Sequence, residues 1–341
     1  MDKILSFTKP IITSYPLHAQ LLSGIQNSHG SKPWILSNYI QLFASDNFIK
    51  DNNYISAWFD FFTTNFLHHE VPVISKQKIK RNLIDMLSND ITEFVINMLN
   101  DDYYVWLFID KYYIPGTQHY YKNTFPHSIL VYGYEEERNV FYCAGFFDNT
   151  GYKQLTVKRE DIKKAYYSKE LFEIRNRAEY LDYVIMYKSS NKNEYKLDIN
   201  NIISLLNDYY YSVNSSEHLS MIRNPIKGKY GLDVYTTLKE YVIFRNNDQL
   251  DFDVRAFHIL YDHKKCMNFR IDYLYSLGFL KFKEIKLFLD IERKSLILRN
   301  TVIKCNIKYN PDTIKNILSM IDDIAYQERI ALDVLLSELI K

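Results

Sequence analysis

The residues from 126 to 134 are Pro126-His127-Ser128-Ile129-Leu130-Val131-Tyr132-Gly133-Tyr134. Their β-branched and aromatic side chains predict a strand, and the three glutamates at 135–137 predict the turn that ends it. A second apolar segment begins at residue 139 or 140, runs to 147 and leads into Asp148. Because a hairpin brings its open ends side by side, we expect an antiparallel pair with His127 and Asp148 at the same end.

Further segments extend this hairpin in both directions along the chain. Strand patterns flank it at residues 103–109, 152–157 and 183–187. Together these segments predict an antiparallel sheet built from hairpins. Helical spacing of apolar residues predicts helices at 19–26, 77–99 and 159–167. The first half of the chain is therefore expected to be an α+β domain.

A polar stretch at 189–194 predicts a linker, and the residues beyond it are mainly helical in pattern. Helices are predicted there at 198–211, 232–244, 254–277 and 311–339. The chain is thus expected to divide into an α+β domain at 1–190 and a mostly helical domain at 195–341.

The composition excludes several classes of protein. The 341 residues carry a formal net charge of +1, which lacks the electrostatic signature of a dedicated nucleic-acid binder. The nine glycines include no G-x-G pair and no P-loop pattern, so the common phosphate-binding loops are absent from the sequence. The hydrophobic fraction of 47 % predicts a packed globular protein rather than a disordered one.

Cysteine usage and hydropathy predict the compartment. The three cysteines, Cys143, Cys266 and Cys305, form no C-x-x-C pair, which indicates thiols in a reducing environment. The apolar run at the N-terminus is too short for a signal peptide, and no run of about 18 apolar residues predicts a membrane-spanning helix. We therefore expect a soluble cytoplasmic protein that binds neither membranes nor nucleic acid.

His127 and Asp148, at the open end of the hairpin, are candidates for a catalytic pair. A carboxylate at Asp148 that accepts from one imidazole nitrogen of His127 would fix the tautomer and leave the other nitrogen to act as a base. The alternative is a histidine that only supports the start of a strand. A thiol nucleophile for such a base stands at a helix N-terminus, but the first helix, at 16–23, contains no cysteine.

These motifs resemble the papain-like family typified by the N-terminal domain of butirosin biosynthesis protein H, found in thiotemplated and nonribosomal peptide pathways. Members have a His-Cys pair at a helix start, then a His that begins an apolar strand ending in Gly-Tyr, and an Asp further on. The matching positions here are His18-Ala19, the strand at 127–134 and Asp148. The segments at 34–42 and 230–235 also look like such proteins.

The resemblance implies a papain-like fold, with N-terminal helices packed on an antiparallel sheet. It places Ala19 at the nucleophile position, His127 as general base and Asp148 as its orienting acid. Backbone N–H groups of Ala19 and Gln20 would bind the oxyanion. Alanine in place of cysteine indicates either an engineered inactive variant or a natural pseudoenzyme, and the retained His127 and Asp148 favour the former.

The implied activity is that of an acyltransferase, as in closthioamide-type amide synthases. A cysteine would take an acyl group from the thioester of an acyl or peptidyl carrier protein and pass it to an amine. The phosphopantetheine of the carrier is the one cofactor implied, and no metal is expected. Two alternatives remain open: a papain-like hydrolase, either peptidase or thioesterase, and a noncatalytic pseudoenzyme that binds a carrier protein.

Other residues have competing interpretations. Four tyrosines precede His127, namely Tyr112, Tyr113, Tyr120 and Tyr121. Their rings either line an acyl pocket or pack together. A basic stretch is either a solvated face or a docking surface for an acidic carrier protein. It consists of Arg255, His263, Lys264, Lys265 and Arg270. Cys143 is interpreted as a core residue, and two further groups are weak metal candidates, Cys266 with His258 and His263, and His68-His69-Glu70.

Overall fold

The structure is a computed structural model that describes residues 2–49, 58–63, 71–88, 90–148, 151–175, 179–190, 195–219, 221, 224–248, 250–281 and 285–340. The chain forms two compact units, each with its own core. The first unit combines residues 1–32 with 71–195, and the second combines 33–70 with 196–341. Both contain helices and antiparallel strands, so the α+β class is confirmed.

The strands among the described residues are Lys3–Ile4 (β1), Leu42–Ser45 (β2), Phe59–Phe61 (β3), Ile74–Lys80 (β4), Tyr104–Asp110 (β5), Pro126–Glu135 (β6), Val140–Phe146 (β7), Tyr152–Lys158 (β8), Tyr183–Ser189 (β9) and Gly228–Tyr230 (β10). The α-helices are Pro16–Ile25 (α1), Ser31–Asn38 (α2), Arg81–Leu87 (α3), Ile91–Asn100 (α4), Arg159–Tyr166 (α5), Lys169–Arg175 (α6), Ile199–Tyr211 (α7), Val234–Asn247 (α8), Val254–Ser276 (α9), Ile285–Ile307 (α10) and Pro311–Leu339 (α11).

The first unit is built on one antiparallel sheet with the strand order β4-β9-β5-β6-β7-β8, and β1 pairs with the far end of β6. The predicted hairpin is confirmed, because β6 and β7 pair antiparallel with Ile129 opposite Gly145. Their register shifts between Val131 and Gly133, where an irregularity interrupts the ladder. His127 and Asp148 both lie beyond the pair at Ile129 and Gly145, at the open end of the hairpin.

Both faces of this sheet are covered. Alternate residues of β5, such as Leu107, pack on one face against apolar residues of α4 and α5, including Phe94 and Ile162. Helix α1 approaches closely at Gly24, where an added Cβ would lie 3.0 Å from the Tyr187 ring and 3.2 Å from the Tyr104 ring. The absence of a side chain at Gly24 therefore lets the helix lie against these rings, and this contact positions Ala19.

The predicted helix at 77–99 is wrong in its first part. Residues Ile74–Lys80 instead form β4, which pairs with β9 along its whole length. Helical structure then begins at Arg81 and is divided into α3 and α4. Asp90 starts α4, because its Oδ1 accepts from the N–H groups of Thr92 at 2.7 Å and Glu93 at 3.1 Å.

The second unit differs from the predicted domain boundary at 190–195. Strand β2, from the first part of the chain, pairs antiparallel with β10 and β3. Gln41 Nε2 donates to Ser215 Oγ at 2.8 Å and to Val213 O at 3.1 Å, which ties the same segment to the residues after α7. These long-range contacts are invisible to local patterns, which is why the prediction assigned 33–70 to the first domain.

Helices make up most of the rest of this unit. The predicted segment at 311–339 is confirmed as α11, and that at 254–277 as α9. Asp198, predicted as a helix start, caps α7 by accepting from Asn201 N at 2.9 Å. Helix α10, at Ile285–Ile307, was not among the predicted segments. The predicted linker falls partly on residues 191–194, outside the described residues.

Candidate functional site

Ala19 lies in the first half of α1 and is fully buried. The helix begins at Pro16, whose fixed φ suits the first helical position, and Tyr15 precedes it in an extended conformation. The Ala19 N–H donates to Tyr15 O at 3.0 Å, and its carbonyl accepts from Ser23 Oγ at 2.7 Å. An oxyanion bound at the Ala19 N–H would therefore have to displace a hydrogen bond inside the helix.

Gln20 connects α1 to the strand that carries His127. Its Oε1 accepts from Ser128 Oγ at 3.1 Å, and its carbonyl accepts from the Tyr187 hydroxyl. Its Nε2 is buried and has no hydrogen-bond partner in the part of the chain that the structure describes. A buried amide donor without an acceptor is unusual in folded proteins.

His127 is half-buried at the start of β6, opposite Ile109 of β5. Its Nδ1 lies 3.1 Å from Ser128 O. Since a carbonyl oxygen can only accept, Nδ1 is the donor in this contact.

Asp148 follows the last residue of β7 by two positions and is half-buried. Its Oδ2 accepts from Lys153 Nζ of β8. The ring of Phe146, two residues earlier, lies 6.1 Å from the His127 ring between centroids. The open ends of the hairpin therefore meet as expected, while a direct bond between Asp148 and His127 stays a prediction.

A continuous series of contacts joins His127 to Ala19. The Phe146 ring, next to His127, packs against the Tyr152 ring at 5.4 Å between centroids. The Tyr152 hydroxyl lies 3.0 Å from Ser23 Oγ, which in turn donates to the Ala19 carbonyl. The two predicted site residues consequently belong to one packed region of the first unit.

Asp110 is a residue that the sequence analysis missed. It is fully buried at the end of β5, and its Oδ1 accepts from Tyr112 N and Phe125 N, both at 3.0 Å. Its Oδ2 accepts from Ser168 Oγ at 2.9 Å. These bonds hold together the two ends of the loop that leads to His127. The local signal was an aspartate directly after an apolar strand, a common position for capping a turn.

The four tyrosines of this loop pack on one another. Ring centroids are 4.9 Å apart for Tyr112 and Tyr113, 5.4 Å for Tyr112 and Tyr121, and 4.4 Å for Tyr120 and Tyr121. Tyr113 also lines a depression of about 350 Å³ whose other lining residues include three lysines. Such a charged lining does not suit an acyl chain, so an acyl pocket at these tyrosines stays a prediction.

The cysteines lie in the core. Cys143 is fully buried, and burial raises its pKa well above the usual range, which fits the predicted core residue and not a thiolate nucleophile. Burial raises the pKa of Cys266 to about 12. His263 Nε2 donates to Ile40 O at 2.7 Å, so that nitrogen has no lone pair for a metal.

The metal candidates receive no support. The described residues contain no group of three or more side chains able to hold a metal ion. The other predicted candidate, His68-His69-Glu70, lies outside the described residues.

Three of the five basic residues on α9 fit neither the solvated face nor the docking surface that the sequence left open. His263, Lys264 and Arg270 are buried rather than exposed. Arg270 donates to Leu36 O and to Tyr39 O, both at 2.7 Å, and so serves the core of the second unit. The two remaining basic residues of the set are paired with acids, Arg255 with Asp253 and Lys265 with Asp262. Helical spacing alone did not distinguish a buried polar network from a charged face.

No family model matches the chain, and no curated protein is significantly similar to it. Within the described residues, no helix is long and apolar enough to cross a membrane.

Proposed function

We propose that the first unit holds the site of a cysteine-dependent acyltransferase with a papain-like fold, in which alanine occupies the nucleophile position. The observation that carries the proposal is the hydrogen bond between Ser128 Oγ and Gln20 Oε1 at 3.1 Å. It joins the strand residue that follows His127 to the helix residue that follows Ala19. The resemblance described above supports the same assignment of base and nucleophile.

The proposed reaction has two steps. A thiol at position 19 attacks the carbonyl carbon of a carrier-bound thioester, and His127 passes the thiol proton to the departing phosphopantetheine thiolate. An amine then attacks the acyl-enzyme, and His127 moves the proton from the amine nitrogen to the cysteine sulfur as the C–S bond breaks. A C–N bond thereby replaces a C–S bond, and the energy of the thioester drives amide formation without ATP.

The oxyanion of each tetrahedral intermediate needs hydrogen-bond donors. The Ala19 N–H already donates to Tyr15 O. Gln20 Nε2, by contrast, is a buried donor with no acceptor among the described residues. This difference favours the side-chain amide of Gln20 as a donor, in addition to the backbone N–H of Gln20 that the resemblance implies.

The test introduces a cysteine thiol at position 19. We expect the Ala19→Cys variant, incubated with an acyl-N-acetylcysteamine thioester and a primary amine, to form an acyl adduct at position 19 and an amide product, both detected by mass spectrometry. The unaltered chain and Ala19→Ser are the controls. Ala19→Cys combined with His127→Gln should lose on the order of 10² or more in rate. An Ala19→Cys variant without any adduct would sink the proposal, and free acid as sole product would favour the hydrolase.

One observation counts against a reactive residue at position 19, and a second candidate function that needs none is noncatalytic binding of a carrier protein. Ala19 has no exposed surface, and its methyl group packs as a core residue. A site of this kind would bind a carrier without reacting with its thioester. Calorimetry of the unaltered chain with holo and apo forms of an acyl carrier protein tests it. Binding of the holo form by a chain whose Ala19→Cys variant forms no adduct would select this function.

A further inference from the structure

Lys111 is a lysine with only 4 % of its surface exposed. It follows the last residue of β5 at the start of the loop that leads to His127. Its N–H donates to Phe125 O at 3.1 Å, and its carbonyl accepts from Thr117 Oγ1 at 3.1 Å. The backbone is thereby held on both sides, so the fold itself keeps this lysine in the interior.

The ammonium group of Lys111 has no hydrogen-bond acceptor and no carboxylate in ion-pair contact within the residues that the structure describes. The preceding residue, Asp110, accepts from two backbone N–H groups and from Ser168 Oγ instead. Asp148, at the open end of the hairpin, accepts from Lys153. The buried charge of Lys111 therefore lacks a counter-ion in contact with it.

The other buried lysine among the described residues is fully paired. Lys264, in the second unit, has 1 % of its surface exposed, and its Nζ lies 2.5 Å from one carboxylate oxygen of Glu328 and 2.7 Å from the other. It also donates to the Tyr209 hydroxyl at 3.2 Å. Lysines are rarely buried without such partners, because an unpaired ammonium loses its hydration and gains nothing in return. An external anion would supply to Lys111 what Glu328 supplies to Lys264.

An aromatic ring connects the buried ammonium of Lys111 to the surface. Its Nζ is 4.9 Å from the centroid of the Phe125 ring, a distance at which cation–π attraction operates. Phe125 is 39 % exposed, and its ring stacks with those of His119 and His127 at 4.1 and 5.9 Å between centroids. Three basic side chains thus surround one exposed ring, and both imidazoles add positive charge when they are protonated.

We propose that Lys111, together with His119 and His127 around Phe125, forms a binding site for a small oxyanion, either a carboxylate or a phosphate group. The ammonium donates charge-assisted hydrogen bonds to the oxyanion, which becomes its counter-ion. Burial lowers the pKa of Lys111 to about 8, so the group still carries its proton at neutral pH. The site goes beyond the proposed function, because it needs no thiol at position 19.

The first test uses the unaltered chain labelled with ¹³C-lysine, at pH 7 and constant ionic strength. Sodium phosphate in place of sodium chloride should shift one lysine Cε resonance along a saturating curve, and this resonance should be absent from Lys111→Arg. Its titration midpoint should rise by about half a pH unit or more in saturating phosphate, because the anion stabilises the ammonium form.

Sodium acetate in the same titration distinguishes the two sources of an oxyanion. Saturation by both anions assigns a general oxyanion site, while saturation by one alone assigns a carboxylate or a phosphate site. A shift that grows linearly without saturation with both anions, or no shift with either, overturns the proposal.

The second test compares variants by the anion-dependent shifts of the His119 and His127 ring resonances. Lys111→Met should weaken anion binding by about tenfold to a hundredfold, the range expected for a lost hydrogen bond to a charged group. Lys111→Arg keeps a cation and should retain most of the affinity, and Lys122→Met, at an exposed lysine, is the matched control.

Equal dissociation constants for Lys111→Met and Lys122→Met contradict the site. If Lys111→Met does not fold, the phosphate and acetate titrations of the unaltered chain still decide the question. An inactive Ala19→Cys variant contradicts the proposed function alone, since anion binding is measured with Ala19 in place.

Discussion

Lys264 Nζ lies 2.5 Å from Glu328 Oε1 and 2.7 Å from Oε2, in the core of the second unit, where neither side chain has more than 1 % of its surface exposed. The hydroxyls of Tyr209 and Tyr235 donate to Glu328 Oε2 at 3.0 and 2.6 Å. Lys264 also donates to His263 Nδ1 at 3.1 Å. This network connects α7, α8, α9 and α11, and its hydrogen bonds compensate for the desolvation of two buried charges.

Removing one charge of this pair should be strongly destabilising. Glu328→Gln leaves Lys264 charged and desolvated, and we expect a loss of about 3–5 kcal/mol in the free energy of unfolding of the second unit. Hydrogen exchange of amides in α9 and α11 measures it. Asp322→Asn, on the same helix, is the matched control, because it breaks only an exposed pair with Lys239 and should cost less than about 1 kcal/mol. Similar losses for both variants would contradict the role assigned to the network.

Gly231 should tolerate no side chain. Its φ is +56°, and an added Cβ would clash with the backbone carbonyl of Tyr209. Gly278 has a comparable φ of +79°, but no described atom lies within 4 Å of an added Cβ. We expect Gly278→Ala to cost about 1–2 kcal/mol for the left-handed conformation alone, and Gly231→Ala to cost clearly more. Thermal unfolding of the two variants side by side decides this, and equal losses would show that Tyr209 moves away freely.

The contrast between local and long-range contacts explains what the sequence predicted. The hairpin with His127 and Asp148 at one end depends on local turn chemistry and on alternation, and it is present as predicted. The segment at 77–99 shows the limit of such patterns. Leu83 and Met86 follow helical spacing, yet they are 45 % and 79 % exposed, so their periodicity did not mark a core face.

The residues of the candidate site show the same contrast between local motifs and long-range contacts. Ala19 and His127 are proposed from motifs, because both belong to short segments with a recognisable order of residues. The burial of Lys111 and the hydrogen bonds of Asp110 were missed, since both arise from the closure of the loop between β5 and β6. An isolated lysine in a polar loop has no local feature that distinguishes it from a solvated one.

The stability of the first unit should depend on pH through Lys111. Its pKa falls from an ordinary value of 10.5 to about 8 on folding. Between these values the unfolded chain retains a proton that the folded chain has lost, so the free energy of unfolding rises with pH. The rise is at most about 1.4 kcal/mol per pH unit, and below pH 8 it is absent.

Hydrogen exchange of amides in β5 and β6, compared between the unaltered chain and Lys111→Met from pH 7 to 10, isolates this effect from other titrations. The unaltered chain should gain stability relative to Lys111→Met as pH rises above 8. Lys122→Met changes an exposed lysine of the same loop. Its free energy of unfolding, plotted against pH, should stay parallel to that of the unaltered chain from pH 7 to 10. Parallel curves for Lys111→Met as well would show that Lys111 retains its ordinary pKa in the folded protein.

The buried amide of Gln20 should reduce stability, as expected of a group kept for binding rather than for folding. Its Nε2 is desolvated without a described partner, while Oε1 accepts from Ser128. Replacing both residues by apolar ones, Gln20→Leu with Ser128→Ala, removes the unpaired donor together with the hydrogen bond. We expect this pair of changes to stabilise the first unit by about 1 kcal/mol, since an unsatisfied buried polar group costs about 1–3 kcal/mol and a typical hydrogen bond contributes about 1.

Gln41 in the second unit provides the contrast for this prediction. Its Nε2 donates to two acceptors, Val213 O and Ser215 Oγ, while its Oε1 is buried without a partner among the described residues. Because Gln41→Leu removes two hydrogen bonds for one unpaired atom, it should destabilise by about 1 kcal/mol. Urea unfolding followed by hydrogen exchange in each unit measures both variants under one set of conditions. A stabilised Gln20→Leu/Ser128→Ala beside a destabilised Gln41→Leu would separate an amide held for a ligand from one held for packing. If the Gln20 pair destabilises as much as Gln41→Leu, the amide of Gln20 is structural, and the oxyanion must rely on backbone N–H groups.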